Sequence, residues 1–329
     1  MNCFPFPFCF FSGFLFFGYG SLSRVPFISL KKTRIMQKNK FHSCLQIVPL
    51  LLFMAFVSAS CIKDDLSQCE KPAFSLQVRA YDADNRPLGP DVVKDVTLYI
   101  FDKNKLFLGT QDIRVNETVT ADFPGHESLT LVAWGNGGQG HQTMPALRQG
   151  DHLETAFVSL IHTRTSLPVA GSPDDLLHGI IDISSGDTSV EELPMRRMTG
   201  SVAITARHLR QYAGSGEGEF RYVLRKSTDK LDFYGKPNGS EVCYSPEAAF
   251  DANDDFVSSI FHVFPPEHDI RIDIYHRDVL MTTVISDSKG NPLRVETGRL
   301  LNVLIDFRGD ISVDMTVSEW GKKEIWKEF

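Results

Sequence analysis

Acidic side chains are absent between Met1 and Ser60, and that absence divides the chain in two. The same stretch holds 12 of the 25 Phe and 6 of the 34 basic side chains. The remainder, from Cys61 to Phe329, carries 28 basic and 41 acidic side chains, a net charge of −13 against −7 for the whole chain. Nucleic-acid binding, which needs a basic face to displace counterions, is therefore not expected. Cysteine is scarce: Cys3, Cys9 and Cys44 fall before Ser60, leaving Cys61, Cys69 and Cys243. None stands in a CxxC or zinc-ligand spacing, so the fold is expected to hold by its core. The ten His show no HExxH or HxH spacing, and no Gly-x-Ser-x-Gly elbow occurs. Neither a metal, a cofactor, a small-molecule substrate nor an enzymatic activity is expected.

What the stretch up to Ser60 does contain is an address label. From Met36, Lys38 and Lys40 precede an apolar run from Ile47 to Val57, then Ser58-Ala59-Ser60 and Cys61. That is the plan of a secretory signal peptide, with an apolar run too short to cross a bilayer as a helix. Cys61 directly after small residues resembles a bacterial lipoprotein signal, in which that cysteine is acylated and becomes the first residue. Ser58 stands where Leu is usual, and an ordinary secretory signal with an incidental cysteine is the competing reading. Residues 1–35 lie outside this plan, since Pro5, Pro7, Gly13 and Gly18 interrupt their Phe run. They are read as a gene-start artefact, with translation from Met36 and a signal peptide over 36–60. Residues 61–72 are then an acidic tether, within which Lys63, Asp64 and Asp65 resemble the surface-export signal of Bacteroidetes lipoproteins.

From Phe74 the sequence reads in period 2. Phe74, Leu76, Val78 and Ala80 alternate with polar residues. A turn cluster at Asp84–Pro90 comes next, then Val96/Leu98/Ile100, Leu106–Leu108, Val119/Ala121/Phe123 and Leu129–Trp134. Residues 135–186 read as long loops with short helical turns. A second series begins with Val202/Ile204/Ala206, Phe220/Tyr222/Leu224 and Ile270/Ile272/Ile274. It ends in the clearest hairpin: Leu301 to Phe307, a turn at Arg308-Gly309-Asp310, and Ile311 to Val317. Short strands at this spacing predict an all-β fold of two β-sandwich domains, 73–190 and 191–329.

Three motifs invite chemistry. Gly135-Asn136-Gly137-Gly138-Gln139-Gly140 fits GxGxxG, but Pro145 stands where a phosphate-binding helix would run, so a plain glycine loop is expected. Arg308-Gly309-Asp310 spells an adhesion tripeptide in a place where turn chemistry alone favours Gly and Asp. Asp251–Asp255 resembles the start of a calcium loop, but Phe256 and His262 occupy the positions that need Gly and Glu.

Several stretches together resemble the lipoprotein fimbrial anchor family of Bacteroidales, the FimB-type minor-fimbria anchors. They are Cys61-Ile-Lys-Asp-Asp-Leu-Ser-Gln-Cys69, Leu131-Val-Ala-Trp-Gly-Asn136, Pro173-Asp-Asp-Leu-Leu-His-Gly179, Leu193-Pro-Met-Arg-Arg-Met-Thr-Gly-Ser-Val202 and Val317-Ser-Glu-Trp320. The resemblance implies two transthyretin-like sandwiches held on the outer membrane by lipid at Cys61 and exposed at the cell surface. It implies fimbrial (pilin) subunits as partners, and a role in anchoring a fimbria and influencing its assembly or length. The pilin superfamily assembles by donor-strand exchange; whether this chain gives or accepts a strand is left open. A surface glycan-binding lipoprotein is the alternative, for which Trp134, Trp320 and Trp326 are the available tryptophans.

Overall fold

The computed structural model describes residues 73–323 except 124, 139, 185–189 and 215–217. Cys61, Lys63, Asp64, Asp65, Cys69 and Trp326 lie outside the described residues. The first sheet takes β1 (Ala73–Tyr81), β2 (Pro87–Leu88), β3 (Val96–Asp102), β4 (Phe107–Ile113), β5 (Thr118–Asp122) and β6 (Ser128–Gly135). After two short strands, β7 (Gln142–Thr143) and β8 (Phe157–Leu160), and β9 (Val169–Ala170), it resumes with β10 (Leu177–Ser184) and β11 (Glu191–Arg197). Its order is β2-β1-β11-β10-β6-β3-β4, with β5 on the far side of β1.

The later strands are β12 (Gly200–Arg207), β13 (Phe220–Thr228), β14 (Lys230–Asp232), β15 (Glu241–Tyr244), β16 (Ala248–Phe250) and β17 (Phe256–Ser258). They continue with β18 (Phe261–Val263), β19 (Arg271–His276), β20 (Val279–Val284), β21 (Arg299–Asp306) and β22 (Ser312–Glu319). One sheet runs β16-β17-β12-β21-β22, another β20-β19-β13-β15-β9, and β14-β8-β7 form a small third. The fold is all-β.

Both halves open with a strand that pairs in parallel with a much later one: β1 with β11, and β12 with β21. Parallel neighbours require a long crossover, so these partners are far apart in sequence. Glu191–Arg197, at the head of the expected second domain, hydrogen-bonds into the first sheet between β1 and β10.

The reading of 135–186 as loops needs correction. Leu177–Ser184 is an eight-residue strand paired with β6 along its length. One feature that hides it is Gly179, a poor strand former. A Cβ there would lie 2.4 Å from the Pro194 carbonyl oxygen, so the close passage of β11 requires glycine. Among the described residues of this stretch the helical expectation is met only by the 3₁₀ turn Leu153–Thr155.

Two hydrophobic clusters form. One lies on a single face of the first sheet and contains Leu76, Val78, Leu98, Ile100, Leu131, Ala133, Leu193 and Met195. The other takes the opposite face of β3 and β6, through Tyr99, Phe101, Val132 and Trp134, and merges with the later sheets. Leu129–Trp134 is therefore buried on both sides, which is why it reads as an unbroken run rather than an alternation. Phe233, just after β14, sits at the centre of this contact. Its ring lies 4.9 Å from Tyr99, 5.9 Å from Trp134 and 6.3 Å from Phe101, centroid to centroid.

Candidate functional site: the junction where the motifs meet

Four of the five stretches that carry the family resemblance, all but Cys61–Cys69, are scattered in sequence but meet in space. Asn136 closes β6 with a left-handed backbone, φ 59°. Its side-chain oxygen accepts from the Lys94 N–H at 2.9 Å, and its amide donates to the carbonyls of Val92 and Asp175, both at 3.0 Å. The Asp175 carboxylate accepts from Arg197 Nε at 2.8 and 3.0 Å. The Arg197 guanidinium lies 4.7 Å over the ring of Trp320, and that ring stands 4.7 Å from His262. His262 closes the circuit, its Nδ1 being 3.2 Å from the Pro173 carbonyl oxygen. Burial holds the His262 pKa below the usual imidazole range. Gly200, in the stretch opening β12, leaves no room for a side chain: a Cβ would lie 2.2 Å from Val295 Cγ1. Nothing in the spacing of these stretches announces their convergence, because it depends on the parallel pairings.

Beside this junction a second set of contacts ties the β1–β2 turn to β21 and β22. Arg299 donates to Asp84 at 2.5 Å, and Arg86 bonds Asp82 at 2.7 Å and Glu319 at 3.4 Å. Arg196 donates to Asn85 Oδ1 at 2.6 Å. Partial burial of Asp82 pulls its pKa up, but bonds from Arg86 and the Asp84 backbone outweigh it, leaving a net fall. The hydrogen bonds that Arg299 donates to the Asp84 carboxylate raise its own pKa. A cleft of about 580 Å³ opens here, lined by Asp82, Arg196, Arg197, Glu296 and Arg299 among others. Asp82, Arg197 and Arg299 are each ion-paired, to Arg86, Asp175 and Asp84, and the Arg299–Asp84 pair clasps β21 to the β1–β2 turn.

The three chemical motifs resolve as turns. Asp251 Oδ1 accepts the amides of Asn253 and Asp255, and Asp254 has φ 62°. Asp82, Asp102, Asp232 and Asp287 each do the same for the second and fourth residues after them, at 2.7 to 3.0 Å. In every case the third residue is left-handed: Asn85, Lys105, Gly235 and Gly290. The acidic loop is thus one of five such Asp-capped turns among the described residues. Its neighbours Asp254 and Asp255 are taken by Arg210 and Arg207. Arg308 folds back onto Asp306, 3.0 Å away, at a Gly309 with φ 69°. Gly135–Gly140 joins β6 to the two-residue β7, with no helix behind it. Among the described residues no three His, Cys, Asp or Glu gather in a metal-holding group. Cys243 is buried in β15, its thiol 3.3 Å from the Pro168 carbonyl oxygen and its pKa raised by that burial.

Comparison with known proteins gives this scaffold its context. The sequence signature of the fimbrillin-A associated anchor proteins Mfa1 and Mfa2 matches residues 66–326. The major fimbrium anchoring subunit FimB of Porphyromonas gingivalis strain W83 is 26% identical over 309 residues, covering 85% of this chain and 96% of that protein. A second Porphyromonas gingivalis FimB sequence is 27% identical over 300 residues, covering 82% and 93%. The structure of the fimbrial anchor protein Mfa2 from Porphyromonas gingivalis superposes with a TM-score of 0.57 at 14% identity, covering 75% of this chain and 97% of that one. The last likeness is one of fold. Among the described residues no helix is long and apolar enough to cross a membrane.

Proposed function

Because this chain belongs to the family of fimbrillin-A associated anchor proteins, we propose that it is an outer-membrane lipoprotein holding a fimbria at its base and influencing the fimbria's assembly and length. The observation that carries this reading is the extent of the match, which runs from residue 66 to 326 and takes in every described strand. Cys61 is the attachment point, directly after a complete signal peptide. One acyl chain binds a bilayer reversibly, whereas at ~0.8 kcal/mol per buried CH₂ two or three hold the protein durably. Lys63, Asp64 and Asp65 send it to the outer face, and the rest of the tether gives it reach. The β-sheets are the part that meets fimbrial subunits, and the paired charges beside the junction keep them in a fixed arrangement under load.

The glycan-binding alternative is the weaker one. Sugar platforms need open aromatic faces. Trp134 is 1% exposed, and Trp320 gives ring surface to Arg197 and His262.

Deleting the gene is expected to produce fimbriae of altered length that are shed into the medium. Electron microscopy of cells and culture supernatant reads both. Fimbriae unchanged in length and retention would refute the anchor reading.

A further inference from the structure

The sheet edges differ in how they are protected. Exposed edges present unpaired N–H and C=O groups, and charged residues, Pro or brevity usually blunt them. Among the described terminal strands, β4 carries Asp112, β5 carries Asp122, and β22 carries Asp314 and Glu319. The edge strands β2, β7, β9, β14 and β16 are two or three residues long. β20 has neither charge, Pro nor brevity to protect it; its one irregularity is a bulge at Met281, where the pairing with β19 shifts register between Leu280 and Thr282. It is six residues, Val279-Leu-Met-Thr-Thr-Val284, with no charge and no Pro, and it ends its sheet beside β19.

Its first two side chains are apolar and turned outward, while Met281 and Val284 pack against the core. Val279 is 69% exposed, Leu280 48%, and Ile285, just beyond the strand, 62%. The edge strand β22 of the other sheet also exposes Val317, but in a strand that carries Asp314 and Glu319. β20 itself is firmly held on its inner side. It pairs with β19 from His276 to Ile272, and Thr283 Oγ1 donates to Asp273 at 2.8 Å. Consecutive strand residues point to opposite faces, so Val279 and Leu280 offer apolar contact above and below the sheet plane.

We infer that the outer edge of β20 is the docking site for an extended, uncharged apolar segment of a fimbrial subunit, which adds to the sheet as a further strand. This rests on the anchor reading above. The occupant is dictated by the surface: the row of main-chain donors and acceptors is matched by another extended chain, and Val279, Leu280 and Ile285 would bury against apolar side chains alternating along it. A charged segment would bring unpaired charge against these three residues.

The test uses the full chain in a strain lacking its own copy. Three versions are compared: wild type, the double variant Val279→Lys/Leu280→Lys, and Val317→Lys on β22 as control. All three substituted positions are exposed. The double variant is expected at the cell surface at wild-type level, with roughly tenfold fewer fimbriae retained, a loss equivalent to about 1.4 kcal/mol of binding. Val317→Lys is expected to retain fimbriae as wild type does. In parallel, fimbriae sheared from the same strain are added to purified wild-type protein, and exchange of the Val279–Val284 amides is expected to slow. If the double variant retains fimbriae normally while the deletion strain sheds them, the β20 site is wrong and the anchor reading stands. If the deletion strain itself keeps its fimbriae, both fall. Should the double variant fail to reach the surface, the exchange experiment decides, and unslowed amides overturn the site. A wild-type dimer with these amides already protected, made monomeric by the lysines, assigns the edge to a second copy and also overturns it.

Discussion

Replacing Cys61 with Ala is expected to move the protein from the membrane fraction to the soluble fraction and to leave the cells without firmly held fimbriae. On the proposed function the effect is large because every acyl chain is carried by one residue, Cys61. No described helix can substitute for it as a membrane span. At ~0.8 kcal/mol per buried CH₂, removing even one of two or three acyl chains weakens binding by many orders of magnitude, and Cys61→Ala prevents all of them from being attached. The fold should be unaffected, since the scaffold begins at Ala73 with β1. Fractionation of cells expressing the variant, with incorporation of a labelled fatty acid into the wild type as the positive control, checks this. A variant that still sediments with membranes would show that lipid at Cys61 is not the anchor.

The second large effect is acid sensitivity through His178. This side chain extends from β10 across the junction of the two hydrophobic clusters, with its Nε2 3.0 Å from the Phe233 carbonyl oxygen and its ring 4.7 Å from Trp134. Burial pushes its pKa from 6.5 down to about 4, against smaller upward pulls from the Phe233 carbonyl and Asp232. The folded protein therefore keeps His178 neutral where the unfolded chain is already protonated. Stability from this group is complete above pH 6.5, falls as pH drops from 6.5 to 4, and levels off below. At 1.36 kcal/mol per pKa unit the loss is about 3 kcal/mol, a large share of a domain's net stability. His262, also held low by burial, adds in the same direction. Asp182 and Asp306, whose pKa values are lowered from 3.8, act at more acid pH. Denaturant titrations at pH 7, 5.5 and 4.5 on wild type and His178→Gln should show the wild type losing stability more steeply. Equal pH slopes would mean that His178 is solvated.

The two cases also show what the sequence made legible. Strands with one wet face were readable, as in β1, where Phe74 to Ala80 alternate, and in the β21–β22 hairpin, which forms in register from Asp306–Ser312 to Arg299–Glu319. β10 was not, because His178 and Gly179 are residues chosen for a junction and a close backbone approach rather than for strand propensity. β20 was not, because Val279-Leu280-Met281 lacks the alternation that burial of one face imposes. The parallel partners of β1 and β12 are too distant in sequence for local patterning to indicate them. The same distance hides the circuit from Asn136 through Asp175 and Arg197 to Trp320. Asn136, Asp175, Arg197 and Trp320 lay in stretches already marked by resemblance, whereas His262 did not, and only the fold explains why these residues belong together. The acidic loop at Asp251 was legible in a different way: the pattern of Asp followed three residues later by Gly, Asn or Asp recurs at Asp82, Asp232 and Asp287, and Lys105 alone departs from it after Asp102.

The central claim is that this chain stands at the base of a fimbria. Immunogold labelling with antibodies to the described β-scaffold, on cells whose fimbriae are intact, tests it most directly. Gold is predicted at the cell-proximal end of fimbriae, with the shafts bare. Gold distributed along the shafts, or on the cell surface without relation to fimbriae, would contradict it.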